Sequence, residues 1–193
     1  MELDSTTIGR EPDALWIKQI AEGNRDAFEK LYAEYQKRLF RYFIRLVSVT
    51  EAAEELTNDV LVEVWKKAGD FRGLSKVSTW IFGIAHHKAM NELRGRKPPT
   101  LDIEAAANES DPGATPEESA AQVNLKEKIK RALQALSPEH REVMELTFTN
   151  GLSYQEISDI MRCPVNTVKT RMFYAKKQLQ EVLEKMGVTR GSA

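Results

Sequence analysis

The sequence carries one cysteine, Cys163, among 193 residues. A lone thiol excludes an internal disulfide and a cysteine-rich zinc site. Long hydrophobic runs are missing too. The longest useful apolar stretch, Trp80 to Ala85, falls far short of the roughly 18 to 20 residues a membrane-spanning helix needs. The first residues, Met1-Glu2-Leu3-Asp4, are acidic where a secretory leader would be basic and then apolar. These absences predict a cytoplasmic protein with no direct membrane insertion. The sequence also has no phosphate-cradling glycine loop, no nucleophile elbow and no His-Glu-x-x-His pair. His86 and His87 are neighbours, so on a helix they point about 100° apart and cannot act as the i, i+4 pair that ligates a metal. The expectation is a protein that is not an enzyme and holds no cofactor or metal.

What the chain does contain is 41% hydrophobic and 30% charged residues, enough apolar side chain for one large or two small compact cores. Its net charge of −1 conceals an uneven placement. Between Leu101 and Leu125 stand Asp102, Glu104, Glu109, Asp111, Glu117 and Glu118, with no basic residue. From Arg162 to Arg190 the balance reverses, with Arg162, Lys169, Arg171, Lys176, Lys177, Lys185 and Arg190 against Glu181 and Glu184. A second basic cluster is Lys88, Arg94, Arg96 and Lys97. Two positive modules therefore flank a negative connector. That connector, 96–121, holds Pro98, Pro99, Pro112, Gly113 and Pro116 among small and acidic residues. Such a composition buries too little apolar surface to offset its ordering entropy and predicts a flexible acidic linker. A flexible linker of this length spans about 30 Å root-mean-square, so two tethered modules can touch one duplex at separate places.

Both modules read as helix, and strand alternation is absent. The expected fold is all-α, with two helical domains: an N-terminal extension and first helix in 1–23, a first domain in 24–95, a second in 122–187 and a tail in 188–193. Asn24 caps a predicted helix whose Phe28, Leu31, Tyr35, Leu39, Tyr42 and Leu46 recur every three or four residues. Thr50 is the expected cap of the next, which carries Ala53, Leu56, Val60 and Val64 on one stripe. Gly69 and Gly73 interrupt the pattern, and a third helix is expected from about Ser78 to Leu93. In the second domain Ser137-Pro138 places a cap before a proline at the first helical position. Gly151 then marks that helix's end, and Ser153-Tyr154-Gln155-Glu156 fits a capping box.

A short helix to about Met161, the turn Arg162-Cys163-Pro164 and a longer helix from about Val165 to Leu183 form a helix-turn-helix, whose second helix enters the DNA major groove. On a wheel of that last helix, Val168, Met172, Ala175, Leu179, Leu183 and Met186 share one stripe. Asn166, Thr170, Phe173 and Lys177 lie opposite, with Lys169, Tyr174 and Lys176 on the flanks. The outward set suits a groove: ammonium groups for phosphate or guanine, an amide for adenine, apolar contact for a thymine methyl. Phe173, pointing away from its own core, needs a cover of DNA, a partner or the other domain.

The run Leu136-Ser137-Pro138-Glu139-His140-Arg141-Glu142-Val143, then Gly151-Leu152-Ser153-Tyr154-Gln155-Glu156-Ile157 and Pro164-Val165-Asn166-Thr167-Val168-Lys169-Thr170-Arg171, resembles region 4 of bacterial RNA polymerase sigma factors of the extracytoplasmic-function (ECF) group. Ala53-Glu54-Glu55-Leu56-Thr57-Asn58-Asp59-Val60 with Trp65, then Phe71-Arg72-Gly73 and Ser78-Thr79-Trp80-Ile81, is similar to region 2. The resemblance implies core polymerase as partner, through the clamp helices of its largest subunit and the flap of the second largest, with Leu56, Asn58, Asp59 and Val60 at the contact. It implies promoter DNA as a second partner. Asn166, Lys169, Thr170, Arg171, Phe173, Tyr174, Lys176 and Lys177 would read the −35 element. Phe71, Arg72, Ser75, Lys76, Trp80, Lys88, Asn91 and Arg94 would capture and melt the −10 element, and aromatic stacking with phosphate-binding cations is what single-stranded DNA prefers. An anti-sigma factor is a further implied partner. The resemblance implies either a linker path through the polymerase or, on composition alone, a solvated tether.

Arg162 occupies a turn site where glycine is common in helix-turn-helix proteins. It predicts either a left-handed residue at a cost of about 1 kcal/mol or a different turn. The alternative function is an operator-binding helix-turn-helix regulator, which would need a dimer interface or ligand pocket in place of the region 2 pattern.

Overall fold

A computed structural model describes residues 12–95 and 116–188, the side chains of 116–123 excepted. Those residues form eight α-helices and no strand: α1 (Pro12–Ala21), α2 (Arg25–Val47), α3 (Thr50–Lys67), α4 (Val77–Gly95), α5 (Pro116–Gln134), α6 (Pro138–Met144), α7 (Tyr154–Met161) and α8 (Val165–Lys185). A single 3-10 turn, Ala68–Asp70, follows α3, and a π-helical turn, Glu145–Thr149, extends α6.

The long α2 begins where Asn24 accepts the N–H of Ala27 at 3.0 Å. It ends at Ser48, whose backbone is left-handed with φ 58°. Its stripe Leu31, Tyr35, Leu39, Tyr42 and Leu46 is buried against α3 and α4, each large side chain contributing about 1.5 to 3 kcal/mol of transfer free energy. The Tyr35 hydroxyl donates to Asp13 Oδ2 at 2.6 Å and ties α1 onto α2. Burial, then the Asp13 carboxylate, pushes this phenol far above its usual range. Helix α3 starts differently from expectation. Val49, extended, occupies the cap position, Thr50 is the first helical residue, and no side chain caps the helix. Ala53, Leu56, Val60 and Val64 face inward as their spacing predicts.

The expected linker 96–121 falls outside the described residues up to 115. From Pro116 onward the chain is α5, so helix begins inside the stretch whose prolines suggest a linker. Proline at a first helical position loses only an N–H that has no intrahelical partner. Ser137 caps α6 by accepting from His140 N–H. Gly151, φ +67°, supplies the left-handed residue beyond the π turn, where a Cβ would be strained.

The two domains touch. Helix α2 packs on α6 and α4 on α7, and buried apolar residues of both domains form one continuous cluster. Polar groups cross the same boundary. Arg141 of α6 reaches the backbone carbonyls of Arg45 and Leu46, Glu142 meets Tyr42 and His86, and Glu156 of α7 meets Lys76.

Candidate nucleic-acid interface

The helix-turn-helix is built from α7 and α8. Its first helix carries the full capping box: the Ser153 hydroxyl accepts from Glu156 N–H at 3.3 Å while the Glu156 carboxylate accepts from Ser153 N–H at 2.8 Å. Burial raises the pKa of Glu156, but the Ser153 hydrogen bonds and Lys76 outweigh it and hold the carboxyl below its ordinary value. The turn is the left-handed alternative: Arg162 has φ 50° and ψ 46°. The Ser158 hydroxyl, donating to Cys163 C=O at 2.6 Å, fixes the turn's exit.

On α8, Val168, Met172 and Ala175 are buried. Asn166, Lys169, Thr170, Tyr174, Lys176 and Lys177 are exposed, and Phe173 is 64% exposed. Phe173 and Tyr174 meet edge to face at 5.4 Å. Arg171 differs from the others. Its guanidinium lies 3.8 Å from Cys163 Sγ and 4.0 Å from Met161 Sδ, so it braces the turn from beside the outward face. One exposed aromatic was not among the sequence candidates. Phe148, on the π turn and 63% exposed, lies under Lys176 Nζ at 5.4 Å. It carries no motif, and only the π turn brings it beside α8.

In the first domain the loop before α4 presents Phe71, Arg72, Ser75 and Lys76. Arg72 is exposed, and Phe71 is half-buried against Trp80 at 5.3 Å. That pair forms a tilted aromatic edge, the rings 48° apart. Ser75 donates to the Lys76 carbonyl at 3.3 Å. Trp80, Lys88, Asn91 and Arg94 share one side of α4, and Arg94 hydrogen-bonds Asn91 Oδ1. Two cations here are already engaged: Lys76 Nζ sits 3.3 Å from Glu156. Lys88 Nζ sits 3.2 Å from Glu63 and 3.4 Å from Asp59. Hydrogen bonding from Lys67, with Lys88 adding to it, lowers the Glu63 pKa.

On α3, Asn58 and Asp59 are exposed, and Tyr32 donates to Asn58 Oδ1 at 3.5 Å. Leu56 and Val60, the other two residues expected at the polymerase contact, face the core: the same helical period that exposes Asn58 and Asp59 turns them inward. Trp65, half-buried, packs edge to face on Phe28 at 5.1 Å and belongs to the core's rim. Among the described residues no group of three or more His, Cys, Asp or Glu side chains is placed to hold a metal ion. No helix among them is long and apolar enough to cross a membrane.

Comparison with known proteins places this geometry. Residues 31–98 match Sigma-70 region 2 and residues 126–179 match Sigma-70 region 4. The RNA polymerase sigma-H factor of Pseudomonas aeruginosa is 28% identical over 186 residues, covering 92% of this chain and 96% of that protein. The ECF RNA polymerase sigma-E factor of Escherichia coli is 29% identical over 181 residues, covering 89% of this chain and 94% of that one. Among solved structures, the sigma factor RpoE of Bartonella quintana, in complex with the anti-sigma factor NepR, superposes with a TM-score of 0.65 at 26% identity, covering 81% of this chain and 96% of that one. An operator-binding regulator would not carry the region 2 half. With both regions matched in order, the chain belongs to the sigma-70 family of RNA polymerase sigma factors, in the extracytoplasmic-function group.

Proposed function

We propose a division of labour among the surfaces of this sigma factor. The outward face of α8, with Asn166, Lys169, Thr170, Phe173, Tyr174, Lys176 and Lys177, reads the −35 element, and Arg171 holds the turn beside it. The Phe71–Trp80 edge with Arg72, Ser75 and Lys76 captures an unstacked −10 base, while Lys88, Asn91 and Arg94 contact the separated strand. A captured base offsets an unstacking cost of a few kcal/mol, so opening needs no ATP. Asn58 and Asp59 on α3 meet the clamp helices. The chain supplies no catalytic group of its own and works in the cytoplasm, where core polymerase is. An anti-sigma factor is a further partner, as NepR is for the Bartonella relative.

The observation that carries this reading is the exposed phenylalanine and lysines on the outer face of the second helix of a helix-turn-helix. The test is transcription reconstituted from core polymerase and this chain alone. Run-off transcripts from a cognate promoter are expected, and their absence on every template tried rejects the reading. Within it, Asp59→Ala is expected to weaken core binding roughly tenfold, about the 1.4 kcal/mol of one well-placed polar contact. Undiminished competition against another sigma factor removes Asp59 from that surface.

A further inference from the structure

Glu142 is a carboxyl group with no exposed surface, in a residue class almost never buried unless paired. Both of its hydrogen-bonding neighbours belong to the other domain. The Tyr42 hydroxyl donates to Oε1 at 2.5 Å, and His86 Nδ1 lies 2.7 Å from the same oxygen. Oε2 has no partner. The Tyr42 phenol is held well above its usual range, first by burial and then by the Glu142 charge, so it stays a donor. Around this centre further polar contacts cross the boundary, and they are complementary. Arg45 Nε sits 3.2 Å from the buried Glu145, Lys76 sits 3.3 Å from Glu156, and Thr79 donates to Glu156 at 3.5 Å. Carboxyl groups of the second domain thus meet donors and cations of the first. The hydrogen bonds and ion pairs that cross this boundary beside the shared apolar cluster can be given up on separation, because water or phosphate replaces each of them.

The closed arrangement does not fit a promoter. Elements centred near −35 and −10 lie about 25 base pairs apart, roughly 85 Å of duplex at 3.4 Å per base pair. Two touching domains, each about 30 Å across, do not reach both. Helix α7, which crosses the DNA backbone in helix-turn-helix complexes, here lies on α4 and engages Lys76 from the −10 loop.

We propose that Glu142, seated between Tyr42 and His86, is a latch that holds the chain closed, with part of the −10 surface occupied by α7, until core polymerase draws the two domains apart. This rests on the surface assignments made above. The latch sets a threshold: apparent affinity for core is the open chain's affinity scaled by the fraction open.

The test uses the full-length chain. Glu142→Lys puts an ammonium where only the closed state buries it, and Tyr42→Phe removes a single donor while keeping the ring packed on Phe43 and Phe82. Small-angle scattering is expected to give a radius of gyration rising from roughly 16 Å, the compact value for this length, to above roughly 20 Å for Glu142→Lys, with a smaller rise for Tyr42→Phe. Apparent core affinity is expected to tighten about fivefold or more for Glu142→Lys. Scattering and core affinity unchanged in both variants overturn the latch. If Glu142→Lys loses its helical circular dichroism, Tyr42→Phe decides: a rise in radius and affinity supports the latch, and none overturns it. A wild-type chain that starts no transcript rejects the functional reading while leaving the scattering result to judge the latch by itself.

Discussion

Arg141→Ala is expected to destabilise the protein by about 3 kcal/mol and to lower the midpoint of thermal unfolding by roughly 6 to 12 °C. Arginine has five N–H donors in a planar fork, and here all five are used on backbone carbonyls. Nε donates to Leu133 at 3.0 Å, Nη2 to Gln134 at 2.7 Å and Leu136 at 3.0 Å, and Nη1 to Arg45 at 3.1 Å and Leu46 at 3.2 Å. The acceptors lie in or just beyond the last turns of α5 and α2, where carbonyls have no intrahelical partner and the helix dipole is negative. One cation therefore closes two helix ends without a carboxylate. Burial works against its charge, and the five carbonyls outweigh that cost. Truncation leaves them without this donor, partly shielded from water. Arg141→Lys is expected to recover little, because an ammonium has three donors and no fork. A thermal midpoint within about 2 °C of wild type for Arg141→Ala, or full rescue by lysine, would discard this account.

Much of the scaffold was legible because its signals are local. The three- and four-residue spacing of Leu31, Tyr35, Leu39, Tyr42 and Leu46 yields a buried stripe, and the same period on α8 separates Val168, Met172 and Ala175 from the outward Lys169, Phe173 and Lys177. Caps made by side chains that accept from an N–H three residues on, at Asn24, Ser137 and Ser153, appear where the sequence puts them. Val49 shows the limit of that logic. A helix can open without a side-chain cap, and a neighbouring threonine is then misleading. Pro116 shows another, since the same residue breaks a helix from inside and begins one from its first position.

What could not be read depends on partners far away in the chain. Glu142 sits in a charged stretch, Glu139-His140-Arg141-Glu142, and such a stretch reads as a solvated helix face. Its neighbours Tyr42 and His86 are 100 and 56 residues away. Tyr42 itself reads only as core, since periodicity locates a ring but says nothing of its hydroxyl. The π turn is equally silent. Asn150 N–H bonds to Glu145 C=O five residues back, a register shift that leaves the hydrophobic spacing intact yet turns Phe148 out beside Lys176. Among the candidate site residues, exposure was legible for the α8 face and engagement was not. Lys76 and Lys88 read as free cations and are held by Glu156, Glu63 and Asp59. Under the proposed −10 contacts, DNA has to displace those carboxylates before it gains the lysines.

The largest functional effect is expected from removing Lys169 and Phe173 together. Both are exposed on α8 and hold nothing in the domain core, so Lys169→Ala/Phe173→Ala should fold as wild type and keep its affinity for core polymerase. The lysine is expected to supply a phosphate or guanine contact and the phenyl ring an apolar contact with a base edge, about 1 to 2 kcal/mol each. Together they predict a loss of roughly 30-fold or more in promoter affinity and in transcription that depends on the −35 element. The single variants separate the two roles through salt. Neutralising one phosphate contact lowers the slope of log affinity against log salt by about 0.9, so Lys169→Ala should flatten the dependence, while Phe173→Ala lowers affinity at every salt concentration by the same factor. Its partner Tyr174, 5.4 Å away, orients the phenyl ring, so Tyr174→Ala should reproduce part of the Phe173→Ala loss. A double variant that transcribes as well as wild type from a promoter with an intact −35 element would remove this face of α8 from the reading surface. A double variant that loses core binding in equal measure would place the face against polymerase instead.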